Sequence, residues 1–262
     1  MGLNTLHNIK ALILDMDGVL WRDSQPVVDL PTTFSTIQRR GWKVTLATNN
    51  ATLSVEQYLH KLRSFGVTLA PEQIVNSSMA VVHYLSHRYP EGGTVYVIGE
   101  HGLLQTLAEA NFHHSEKAVL AVIVGMDRKI TYEKLRLATL LIRSGIPFIG
   151  TNPDKTFPTP EGLVPGAGAI LAAIEVATST QPIIVGKPSP EMYLLAMERM
   201  GSSPRTTLVV GDRLETDIAG GQQLGCKTGL VLSGVTDLQT ARSWVPSPDW
   251  IEPDLTALLD RL

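Results

Sequence analysis

The chain has 262 residues, 44% of them hydrophobic and 18% charged, with a formal net charge of −3. That length allows one large domain or two modest ones with a real core, in an ordinary globular composition. No Lys/Arg cluster suggests nucleic acid, no apolar stretch nears the ~20 residues of a membrane helix, and no signal pattern precedes Leu12-Ile13-Leu14. The expectation is a cytoplasmic protein with neither nucleic-acid nor membrane partners. The single cysteine, Cys226, excludes an internal disulfide and reads as a small core residue near a strand.

Short apolar runs rich in β-formers alternate along the chain with amphipathic segments. Strands are predicted at 9–15, 43–48, 73–77, 94–98, 118–124, 146–150, 182–186, 206–211 and 227–232. Helices are predicted at 53–65, 101–110, 131–143, 166–177, 190–200 and 215–224. Thr131 ahead of Glu133 and Ser189 ahead of Pro190 mark two helix starts. Such alternation implies an α/β fold with parallel sheets covered by helices, and near-continuous apolar strands such as Leu208-Val209-Val210 fit sheets buried on both faces. The tail, 235–262, reads as a wrapping segment with a short final helix.

The chemistry-bearing residues fall only in 9–50 and 186–217. The middle of the chain has strands and helices of its own but none of these motifs. The expected organisation is therefore a core of residues 1–80 plus 181–262, with a second α/β unit, 81–180, inserted into it.

Asp15 and Asp17 end the first apolar run, with Gly18 permitting a sharp turn just after. Two carboxylates at the end of a buried strand are costly unless a cation or a proton relieves them. Thr48-Asn49-Asn50 end the run Val44 to Ala47, Gly186-Lys187 end the run Pro182 to Val185, and Gly211-Asp212 end the run Leu208 to Val210, with Asp217 five residues on. Ligands of open parallel sheets bind beyond the carboxyl ends of the strands. If one sheet holds all four runs, their ends meet at one crevice. Clustered carboxylates with few other ligands suit Mg²⁺, and a cation with Lys187, the Thr48 hydroxyl and nearby amides suits a phosphate group. Asp15 would then be the nucleophile and Asp17 the acid and base.

At this point the chain resembles the haloacid dehalogenase superfamily of phosphatases. Four motifs stand in that family's order: Asp15-Met16-Asp17-Gly18-Val19, Thr48-Asn49-Asn50, Gly186-Lys187-Pro188-Ser189-Pro190 and Gly211-Asp212-Arg213-Leu214-Glu215-Thr216-Asp217. The form Val-Gly-Lys-Pro-Ser-Pro, with Thr-Asn-Pro-Asp at 151–154, resembles the subfamily with a large α/β cap, which includes NagD-type and nitrophenyl phosphatases. The resemblance implies a Rossmann-like core, a capping function for the inserted unit, and Mg²⁺-dependent hydrolysis of a small phosphate ester through an aspartyl phosphate. It implies metal ligation by the Asp15 carboxylate, the Asp17 backbone carbonyl and the Asp212 carboxylate. Asp217 would be an outer-shell group, and Thr48, Asn49, Asn50 and Lys187 would bind phosphate. A homodimer through the cap is a further expectation.

Other readings compete. A phospho-accepting signalling module also gathers acids, a Thr and a Lys around Mg²⁺, and a phosphomutase or phosphonate hydrolase would use the same core. In the middle segment, Arg128 could meet a substrate anion or pair with Asp127. Asn152 and Asp154 shape a turn, and Gly166-Ala167-Gly168 reads as tight packing at a helix start. The histidines show no ligand spacing.

Overall fold

The computed structural model describes residues 8–50, 53–159 and 162–262. By contact density the chain divides into two compact units: Met1–Thr48, Val55–Val75 and Tyr193–Leu262 form the first, and Asn49–Ser54 with Asn76–Met192 the second.

The chain opens with strand β1 (Ala11–Leu14), the hairpin of β2 (Trp21–Arg22) and β3 (Gln25–Pro26), then β4 (Lys43–Thr48) and β5 (Ile74–Asn76). Helices α1 (Leu30–Arg39) and α2 (Val55–Ser64) fall between them. Next come β6 (Gly93–Ile98), β7 (Phe112–His114), β8 (Val122–Val124), β9 (Phe148–Gly150), the hairpin β10 (Thr156–Thr159) with β11 (Gly162–Pro165), and β12 (Ile183–Ile184). Their helices are α3 (Ser77–Arg88), α4 (His101–Glu109), α5 (Tyr132–Arg143), α6 (Ala167–Thr178) and α7 (Pro190–Met200). The chain closes with β13 (Thr207–Gly211), α8 (Ala219–Gln223), β14 (Lys227–Val231), α9 (Leu238–Ser243), β15 (Trp250–Glu252) and α10 (Leu255–Arg261).

Six strands form one sheet in the order β15-β14-β13-β1-β4-β5. β1 lies between β13 and β4 and pairs in parallel with both, so the chain order reverses on either side of it. That reversal opens a crevice at the carboxyl end of β1. Every residue of β1 is buried, as a sheet covered on both faces requires. The second sheet, β12-β9-β8-β6-β7, is parallel throughout. Its own core gathers Ile98, Val122, Val124, Ala138, Ile142, Phe148, Leu171 and Ile174. Among the described residues, no helix is long and apolar enough to cross a membrane.

One strand assignment changes. The segment expected at 182–186 is β12, and it pairs with β9 through Ile183 and Ile149 in the second sheet. The lysine motif therefore follows a strand of a different sheet from the one that carries Asp15. A two-residue strand is too short for hydrophobic periodicity to reveal its partner. The helix expected at 215–224 begins as a π-helical turn, Leu214–Ile218, before α8. Cys226 is buried just ahead of β14, and burial raises its thiol pKa to about 11.

Leu208 is fully buried in β13, paired with Leu12. Leu208→Ala is expected to cost about 3 kcal/mol, seen as a lower urea midpoint at unchanged slope.

Candidate active site

The parallel register builds the first unit's acidic site. Leu14 of β1 lies opposite Val210 of β13, and the Asp15 N–H donates to the Val210 carbonyl at 2.9 Å. Asp15 therefore enters the crevice at the level where β13 ends, one residue before Asp212. The turn after β13 brings back Asp217, whose Oδ2 accepts the Arg213 N–H at 3.1 Å. Asp15, Asp212 and Asp217 each offer a carboxylate oxygen within 4.8 Å of the other two. Asp15 is half-buried, and Asp212 and Asp217 are each 1% exposed.

Two glycines make room for this crowding. A Cβ on Gly234 would lie 1.9 Å from Asp212 Oδ2, and one on Gly211 would lie 2.2 Å from Asp217 Cβ. The loop after β14 also binds Asp212 directly, through the Val235 N–H to Oδ2 at 2.7 Å and the Thr236 N–H to the Asp212 carbonyl at 3.2 Å. Neither Gly234 nor Val235 carries a sequence signal, because the loop acts through its backbone.

Asp17 occupies a different environment. β1 stops at Leu14, so the two aspartates do not share a strand face. The Met16 carbonyl accepts the N–H groups of Val19, Leu20 and Trp21 in a single tight turn. Gly18 adopts φ +85° there, a conformation open to glycine. The Asp17 carboxylate is exposed, and its Oδ1 accepts the Trp21 indole N–H at 2.9 Å. The Lys61 ammonium lies 4.2 Å from the Trp21 ring centroid. Burial lowers the Lys61 pKa, while the charges of Asp17 and Asp23 pull it back up. Thr48, the last residue of β4, is buried.

The second unit carries the other motif residues. Lys187 is 3% exposed. Asn49 grips its backbone from both sides: Asn49 Nδ2 donates to the Lys187 carbonyl at 3.0 Å, and Asn49 Oδ1 accepts the Lys187 N–H at 2.8 Å. The Asn49 carbonyl in turn accepts from Ser77 Oγ at 2.7 Å and from Asn152 Nδ2 at 2.9 Å. The Asn49 side-chain amide thus holds the lysine loop through its main chain. Asn50 is half-buried. Asn152 both caps this network and accepts the Asp154 N–H on Oδ1, the turn anticipated from sequence. Arg128 pairs with neither neighbour; it grips Glu100 through two nitrogens, at 2.6 and 2.7 Å, and holds that carboxyl below its ordinary pKa. Asp127 pairs instead with Lys134 at 2.6 Å. Gly168 packs at the α6 start, where a Cβ would meet the Pro153 carbonyl at 2.4 Å.

Two family models match the chain: one described as haloacid dehalogenase-like hydrolase over residues 12–113, and one as HAD-hydrolase-like over residues 184–258. An acid sugar phosphatase of Staphylococcus aureus is 34% identical over 258 residues, covering 98% of this chain and 99% of the relative. The chain belongs to the haloacid dehalogenase family. It is a phosphatase of the NagD-like branch. A p-nitrophenyl phosphatase from Archaeoglobus fulgidus superposes with a TM-score of 0.91 at 30% identity, over 97% of this chain and 100% of that one. NagD from Escherichia coli K-12 gives 0.88 at 34% identity, over 95% and 97%. Likeness to phosphatases along the whole chain sets aside the signalling-module reading.

Because any side chain at Gly234 would displace Asp212, Gly234→Ala is expected to lower kcat/KM for phosphate-ester hydrolysis by at least about tenfold. Phosphate release against substrate concentration measures it.

Proposed function

We propose that the protein is a Mg²⁺-dependent phosphomonoester hydrolase acting on a small phosphate ester, with sugar phosphates the first class to test. The observation that carries this reading is the triad of carboxylates from Asp15, Asp212 and Asp217, gathered at the ends of two neighbouring strands. Hard oxygen donors crowded into a largely buried site fit a small divalent cation. The Asp15 and Asp212 carboxylates and the Asp17 carbonyl would hold it, with Asp217 supporting from behind. When bound, the cation neutralises charge on the phosphoryl oxygens and on the crowded carboxylates. The sugar-phosphate class rests on the staphylococcal relative's name, and nitrophenyl phosphate on the archaeal one's.

In this mechanism an Asp15 oxygen attacks phosphorus while the ester oxygen departs with its bonding pair. Asp17 gives that oxygen a proton. Asp17, now a carboxylate, takes a proton from water, whose oxygen attacks the phosphorus of the aspartyl phosphate. The bond to Asp15 breaks, and inorganic phosphate leaves. Lys187 and the Thr48, Asn49 and Asn50 segment are assigned to the phosphoryl oxygens by their place in the family's motif order. The inserted unit is assigned the selection of the leaving group, and a homodimer through it is part of the same proposal.

Asp15→Asn is expected to abolish phosphate release while leaving the fold intact. Retained turnover would overturn the nucleophile assignment. In wild-type protein stripped with EDTA, Mg²⁺ is expected to restore activity and raise Tm, with about 2.7 kcal/mol of added stability at one hundred times Kd. Metal-free Asp15→Asn is expected to melt no lower than metal-free wild type, since one of three repelling charges is gone. A calorimetric scan of both proteins measures this.

A further inference from the structure

Trp21 carries no role in the mechanism above, yet its indole N–H donates to the Asp17 carboxylate at 2.9 Å. Its side chain is 0% exposed. It is held from several directions. The Gly18 N–H donates to its carbonyl at 2.7 Å, Phe65 lies ring to ring at 6.0 Å, and Lys61 covers one face. Lys61 is itself tied down, donating to the Asp23 carbonyl at the tip of the same hairpin at 2.7 Å. The neighbouring Arg22 fastens that hairpin to the loop after β14 that binds Asp212, with Nε on the Ser233 carbonyl at 2.7 Å.

We propose that Trp21, clamped beneath Lys61, is the positioning residue for the Asp17 acid. The inference rests on the acid–base reading of Asp17 given above. An indole N–H only donates, so it needs an acceptor at Oδ1. In a carboxylic acid the carbonyl oxygen accepts far better than the hydroxyl oxygen. Protonated Asp17 therefore carries its transferable proton on Oδ2, and the bond to a rigid indole resists rotation of the carboxyl plane. On transfer, the proton moves from Oδ2 to the departing ester oxygen, and the O–H bonding pair stays on the carboxylate. The Trp21 N–H then faces an oxygen that has gained negative charge, so this hydrogen bond strengthens as the leaving group departs. The ammonium over the ring withdraws π density and sharpens the N–H as a donor. A tryptophan serving only as core filler would make the same packing contacts without any link to the leaving group.

The test is kcat/KM, which reads only steps up to departure of the alcohol, on p-nitrophenyl, phenyl and p-methoxyphenyl phosphates. Nitrophenolate leaves with little need of a proton, and the methoxyphenol needs one most. Relative to wild type, Trp21→Phe is expected to lose about tenfold on the methoxyphenyl ester and no more than about twofold on the nitrophenyl ester. Lys61→Met, which leaves the indole in place, is expected to shift the same way by about threefold, and it decides the matter if Trp21→Phe does not fold. Asp17→Asn is expected to give the same pattern more strongly, about 100-fold on the methoxyphenyl ester. Equal loss on all three esters in the Trp21 and Lys61 variants, or no loss, with the split intact in Asp17→Asn, overturns the positioning role alone. Equal loss in Asp17→Asn overturns the acid assignment, and this inference with it.

Discussion

Three carboxylates held within 4.8 Å of one another, two of them almost wholly buried, are the arrangement around which this molecule is organised. Two unit charges at that spacing repel by roughly 3–4 kcal/mol at an effective dielectric near 20. A fold that enforces such a contact must have strong reasons elsewhere to close. Here they are the parallel ladder between β1 and β13, which sets Asp15 beside Asp212, and the tight return that places Asp217. The backbone hydrogen bonds from Val235 and Thr236 then bind Asp212 without adding another side chain. The charge conflict is built in, and a cation is the natural means of relieving it.

The paired acids of the first motif divide along physical lines. Asp15 sits in the carboxylate cluster, half-buried, where a metal and a phosphoryl group are expected. Asp17 lies beyond a tight turn, exposed, with an indole donor on one oxygen. Two residues apart in sequence, they occupy settings different enough to support different chemistry. The glycine within the turn permits this. A Cβ at Gly18 would stand 2.5 Å from Asp212 Oδ2, so the first motif and the fourth touch through its missing side chain.

Much of the fold and of the acidic site was legible in the sequence. Apolar runs ending in Asp, Thr or Gly-Asp are strong signals, because a buried polar residue at a strand end needs a reason to be there. The alternation of strand and helix carried the parallel architecture. What escaped detection was local or mediated by backbone. β2 and β3 have two residues each, too few to show a period. β12 chose its sheet by tertiary pairing with Ile149 and Gly150. The Asn49 side-chain amide is matched to the N–H and carbonyl of residue 187, a fit that only the folded chain reveals. Arg128 found Glu100, 28 positions back in the chain, in place of the adjacent aspartate that proximity favoured.

The Asn49 clamp separates scaffold from chemistry at one position. Both of its hydrogen bonds are made to main-chain atoms of Lys187, and neither depends on what that residue displays. The loop's shape is written at position 49 and its charge at position 187. Evolution, or an engineer, can therefore exchange the displayed group for another while the mount stays in place, whereas a change at 49 alters the mount whatever it carries.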